Sequence, residues 1–121
     1  MALVVTPTNI SKGDGSALLV TYINLTEINA TPAPIEWVEW ADKSVQVRGT
    51  FNAGTVVIEG SNDGINWIVL TDPQGNAISK TAAFIEQILE CTRYVRPRVS
   101  AGTGVDLDVF FVLRRNNSMR T

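Results

Sequence analysis

The sequence predicts an all-β chain, a β-sandwich or jelly roll of about seven to eight mostly antiparallel strands. Apolar residues alternate with a period of two in several stretches, as half-buried strands require. Clusters of Gly, Asn, Asp and Pro punctuate those stretches at roughly even intervals. No convincing helical period and no βαβ alternation is present, which leaves packed antiparallel sheets as the way to bury the apolar face. With 121 residues, the chain matches one domain spanning 1–121.

Taken in order, residues 1–43 hold the candidate arm and interface strands. Ala17 to Leu25 and Ile35 to Ala41 are apolar on both parities, which suits strands covered on two sides or placed at a subunit contact. From Ser44 the alternation is clear: Val45, Val47, Gly49 and Phe51 fall on one parity, with Gln46, Arg48 and Thr50 on the other. Asn52-Ala53-Gly54 supplies turn chemistry before Thr55 to Gly60, so the two strands are expected to form a hairpin. Ser61-Asn62-Asp63-Gly64 then leads into Asn66 to Leu70, Asp-Gly being a strong hairpin signal because Gly accepts positive φ. Residues 44–71 are therefore predicted as a three-strand meander with Val47, Phe51, Val56, Ile58 and Trp67 facing the core.

Asp72-Pro73-Gln74-Gly75-Asn76 reads as a loop. Residues 82–91 admit two patterns. Phe84, Ile85, Ile88 and Leu89 fit a helical face, whereas Phe84, Glu86, Ile88 and Glu90 fit alternation; the strand is the reading adopted. Strands follow at 93–100 and 104–114, joined by Ala101-Gly102-Thr103. On the first, Val95, Pro97 and Val99 point inward and leave Tyr94, Arg96 and Arg98 projecting together. On the second, Val105, Leu107, Val109, Phe111 and Leu113 form a core face, while Phe110 and Val112 make the opposite face apolar and call for a cover. Residues 115–121 are a polar tail.

Charge and chemistry narrow the function. The net charge is -2 and the pI about 5.0, without the global basic charge on which non-specific nucleic-acid binding relies. Yet residues 91–121 carry six Arg and two Asp, and residues 1–90 four cations and ten carboxylates. Arginine favours paired, interface-type contacts with carboxylates. The N-terminus lacks the charged and apolar regions of a signal peptide, and no apolar run is long enough to span a bilayer, so no membrane role is expected.

Histidine is absent, which removes the commonest general base and metal ligand. Cys91, the lone cysteine, is expected to be a small core residue. The carboxylate pairs Glu36/Glu39 and Asp106/Asp108 are expected to be solvated strand faces. Gly60-Ser61-Asn62-Asp63-Gly64 lacks the register of a calcium loop, and no phosphate-cradling glycine pattern occurs. Neither an enzyme nor a cofactor is expected. Trp37 and Trp40 stay open as interface anchors or stacking platforms.

The runs Val45-Gln46-Val47-Arg48-Gly49-Thr50-Phe51, Gly54-Thr55-Val56-Val57-Ile58-Glu59-Gly60-Ser61-Asn62-Asp63-Gly64-Ile65-Asn66-Trp67 and Tyr94-Val95-Arg96-Pro97-Arg98-Val99 resemble small virion proteins of tailed phages, over roughly Ser44 to Leu113. The resemblance implies a capsid decoration, or cement, protein that binds the outside of the assembled major capsid protein lattice and stabilises it. It further implies a homo-oligomer, dimer or trimer, located on the capsid exterior and assembled in the host cytoplasm. The S-N-D-G-x-x-W and R-Y-V-R elements are also similar to discoidin-like carbohydrate-binding modules, so an adhesion module of a tail or baseplate is the alternative. Interface candidates are Trp37, Trp40, Tyr94, Arg96, Arg98, Phe110 and Val112.

Overall fold

The computed structural model describes residues 8–9, 17–28, 32–36 and 42–115. These build an all-β sandwich of two antiparallel sheets with no helix. The first sheet has the order β1-β2-β9-β3-β7: β1 (Thr8–Asn9), β2 (Ala17–Leu25), β9 (Asp106–Arg114), β3 (Asp42–Thr50) and β7 (Phe84–Ile88). In the second, β4 (Thr55–Ser61) is central. β8 (Tyr94–Ala101) lies along one edge of β4, and β5 (Ile68–Val69) and β6 (Ser79–Lys80) share the other.

Alternation places the core as expected. Val45 and Val47 of β3, Val56 and Ile58 of β4, and Val105, Leu107, Val109, Phe111 and Leu113 in and before β9 are all buried, and Phe51 joins them. Strand β2 contributes Val20, Tyr22 and Leu25, with a bulge between Tyr22 and Leu25 where Asn24 has φ 59°. The extra residue returns Leu25 to the inner face. Tyr22 meets Phe111 edge-on at 5.9 Å and donates its hydroxyl to Ala33 O at 2.7 Å, which satisfies the one polar atom that this buried ring brings in. The adopted strand reading of 82–91 holds over β7, where Phe84, Glu86 and Ile88 are the better-buried parity. Around 72–76 the predicted loop closes on Asp72, whose carboxylate accepts from the N–H groups of Gln74 and Asn76.

The meander is corrected. Strands β3 and β4 do not pair: β3 is flanked by β9 and β7, and β4 belongs to the other sheet. Only the β4–β5 half is a hairpin. Asn52 (φ 49°) and Ala53 (φ 62°) form a tight turn closed by Gly54 N–H to Phe51 O at 2.7 Å, and the chain uses this reversal to cross between sheets. The link from β8 to β9 crosses back at the same end, where Asn52 Nδ2 donates to Thr103 O at 2.6 Å. Gly102, at φ 124°, lies so near that a Cβ there would stand 2.6 Å from Gly54 Cα. Cys91 is corrected too, being exposed, because the inward pattern ends at Ile88 and 89–93 connect the sheets around the outside. Of the expected apolar strand at 35–41, Ile35 makes a bridge to Val95, and residues 37–41, Trp37 and Trp40 among them, lie outside the described residues.

Candidate interaction surfaces

Pairing of β4 with β8 sets Val57, Glu59 and Ser61 opposite Arg98, Arg96 and Tyr94. Because directly paired residues point the same way, these side chains share the outer face of the second sheet. At the centre Glu59 is only 3% exposed, an unusual burial for a carboxylate that needs compensation. Two arginines provide it: Arg96 Nε donates to Glu59 Oε1 at 2.7 Å, and Arg98 Nε reaches both oxygens at 3.1 Å. The Arg96 guanidinium also lies 3.7 Å from the centroid of Trp67, whose ring is 6.1 Å from Tyr94.

The loop between β4 and β5 is locked against the same group. Asp63 accepts from the Ser61 hydroxyl, the N–H groups of Ile65 and Asn66, and Asn66 Nδ2, each at 2.8 Å. The Asn66 backbone N–H, first among these donors, holds its carboxyl well below the usual carboxylate range. With those oxygens already taken up by donors, the loop is a hydrogen-bonded turn, and among the described residues no cluster of metal-ligating side chains occurs. Gly64, at φ 75°, faces the Tyr94 ring at 3.2 Å from where a Cβ would sit, and Asn62 Oδ1 accepts from Arg93 N–H at 3.0 Å. Arg93 covers Tyr94, its guanidinium carbon 4.9 Å from the ring centroid, and pairs with Glu36 at 3.0 Å.

Tyr94, Arg96 and Arg98 thus project together as alternation indicates, but the two Arg96/Arg98 guanidiniums are engaged by a carboxylate of their own chain. Trp67 is corrected: it is half-buried on this outer face beneath Arg96 and outside the core. The chain turns outward at the Asp-Gly loop, so β4 parity does not carry through to Trp67. Sequence reasoning missed Glu59 and Arg93. The signal for Glu59 was present, since it sits on the outward parity of a strand whose neighbour brings two arginines to its level.

Phe110 and Val112 lie on the far side of the molecule, on the outer face of the first sheet. With Leu19, Gln46, Arg48 and Ile85 they line a shallow groove of about 430 Å³. Arg48 covers part of Phe110 at 5.4 Å and pairs with Asp108 at 3.6 Å, while Ile85 is 66% exposed. The expected cover of Phe110 and Val112 therefore does not come from the described residues beyond the Arg48 side chain. Asp106 and Asp108 share a face as read; Asp108 accepts from Asn24 N–H besides holding Arg48. Comparison of the chain with protein-family models, with characterised proteins and with solved structures gives no match.

Proposed function

We propose that this chain is a structural protein of a tailed-phage virion, a decoration protein that docks on the outside of the assembled major capsid protein lattice. The observation that carries the reading is the outer face of the second sheet, where two of the three segments resembling phage virion proteins, 54–67 and 94–99, meet. Trp67, Tyr94, Arg93, Arg96 and Arg98 are gathered there and held rigid by Glu59 and the Asp63 turn. Tryptophan, tyrosine and arginine are the residue types that dominate protein–protein hot spots. Their fixation in advance removes much of the ordering cost of association. Two guanidiniums share the Glu59 carboxylate, so that cluster has donor capacity left over for a carboxylate of a partner protein.

The alternative, a sugar-binding adhesion module, needs an open aromatic face near the same loop. Arg96 occupies one face of Trp67 at 3.7 Å, which weighs against it.

The experiment is co-sedimentation with assembled capsid shells, together with a count of copies per virion by mass spectrometry. A copy number that follows the capsomer lattice and saturable binding to shells support decoration. A handful of copies, or no shell binding, overturns it. Arg93→Ala and Tyr94→Ala probe the contact without uncovering Glu59. A loss of about 2 kcal/mol or more marks an anchor, and a change within about 0.5 kcal/mol marks a solvated surface.

A further inference from the structure

The outer face of the first sheet carries a pattern that complements itself. Strand pairing sets Asp42 beside Arg114 at one end and Arg48 beside Asp108 at the other, with Ser44 beside Val112 and Gln46 beside Phe110 between them. The four charges stand at the corners of a rectangle, and each corner differs in sign from both of its neighbours. The rectangle is centred on the Val45 and Phe111 pair, whose side chains point the other way into the core. Such a corner pattern lands opposite charge on opposite charge when the face is turned onto its own copy about a two-fold axis lying in the sheet plane.

Two such axes exist, and the apolar residues choose between them. An axis along the strands, midway between β3 and β9, would lay Phe110 on Gln46 and Val112 on Ser44, apolar against polar. An axis across the strands, level with Val45 and Phe111, keeps β9 over β9 and β3 over β3. It sets Phe110 of one copy on Val112 of the other, Gln46 on Ser44, Arg48 on Asp42 and Asp108 on Arg114. Facing sheets pack about 10 Å apart and within about 30° of alignment, which keeps these partners in reach.

We infer that a second copy of this chain covers the Phe110–Val112 face, forming an isologous dimer about the two-fold axis that crosses the strands. A two-fold contact uses the same patch on both subunits, so it demands this kind of self-complementarity. The opposite face shows no such alternation, since Arg96 and Arg98 there converge on Glu59 and Arg93 on Glu36 of their own chain. The dimer uses a surface separate from the one assigned to the capsid, so either assignment can fail without the other.

The test is an orthogonal pair read by sedimentation and by native mass spectrometry. The charge-swapped variant Asp42→Arg, Arg48→Asp, Asp108→Arg, Arg114→Asp keeps every cross-strand pair within its own chain and still fits its own copy. Against the wild type it places like on like at all four corners. Both proteins should dimerise alone, and after mixing the heterodimer should fall at least tenfold below the share that random pairing produces. Val112→Asp, which places a carboxylate on the other copy's Phe110, should be monomeric with an unchanged melting curve at low protein concentration. A monomeric wild type, or random mixing of the wild type and the swapped variant, overturns the inference. Should the swapped variant not fold, the Val112→Asp result decides: a dimer that survives it is formed elsewhere.

Discussion

Arg96 lies over Trp67 with its guanidinium carbon 3.7 Å from the ring centroid, and the same guanidinium donates from Nε to the buried Glu59. One arginine therefore ties an aromatic side chain to a buried carboxylate that Arg98 also holds. Glu59→Gln should destabilise the domain by about 2 kcal/mol, because it leaves two guanidiniums without their counter-charge, softened by the partial exposure of Arg98. Trp67→Ala should cost about 1 to 2 kcal/mol, less than a core aromatic, since the ring is half-buried and its cation–π contact is the main loss. Urea unfolding of both variants checks this; a Trp67→Ala loss above that of Glu59→Gln would reverse the order of importance.

The Asp63 turn makes stability depend on acid. Its carboxyl is held below its ordinary value of 3.8, and Glu27, which accepts from Gly104 and Val105 N–H groups, is lowered from 4.5. A carboxyl depressed in the folded state contributes fully above its unfolded value and loses that contribution as pH falls toward the folded one. Wild type should therefore weaken progressively below about pH 4. The gap between wild type and Asp63→Asn in urea midpoint, open at neutral pH, should narrow over that window. A gap unchanged down to the acid limit would mean that the turn holds without its charge.

What was legible in the sequence was parity, and what was not was the partnership between strands. Alternation in 45–51, 94–99 and 105–113 names the buried side chains correctly because a pleated strand with one dry face leaves no other choice. Asn52-Ala53-Gly54 announces a reversal, but a reversal within a sheet and one between sheets use the same turn residues. The choice rests on β9 and β7 occupying both edges of β3, and those strands come 30 or more residues later in the chain. Trp67 misled for a similar reason, since parity is reset at the Asp-Gly loop. The interface candidates were grouped correctly within a strand, as with Tyr94, Arg96 and Arg98, while their separation from Phe110 and Val112 on opposite faces of the sandwich needed the sheet order.

Two turn glycines supply a contrast, Gly75 in the 72–76 loop and Gly102 at the inter-sheet crossings. Gly75 has φ 88° with open space where a Cβ would go, so Gly75→Ala carries backbone strain alone, about 1 kcal/mol. Gly102 has φ 124°, and a Cβ would stand 2.6 Å from Gly54 Cα and 2.8 Å from a Val105 methyl. Gly102→Ala should cost about 3 kcal/mol or more, because both crossings must separate to admit it. Thermal unfolding of the pair gives the difference directly; equal losses would show that the nested crossings yield freely.

Lys43 offers the last test, because it is a cation on the inner parity of β3, set between Leu113 and Ile88 and only 4% exposed. Burial pulls its ammonium below the ordinary 10.5, and the nearby Cys91 and Asp42 only partly restore it. The unfolded chain thus binds more protons than the folded one between the lowered value and 10.5, and stability should rise with pH across that window. Lys43→Met keeps the length of the side chain and removes the desolvated charge. It should stabilise the domain by about 1 kcal/mol at neutral pH and abolish the alkaline rise. Urea midpoints at neutral and alkaline pH decide the matter. A Lys43→Met variant weaker than wild type would mean that the ammonium is a net stabilising group at the rim of the core, and would remove burial as the cause of its shift.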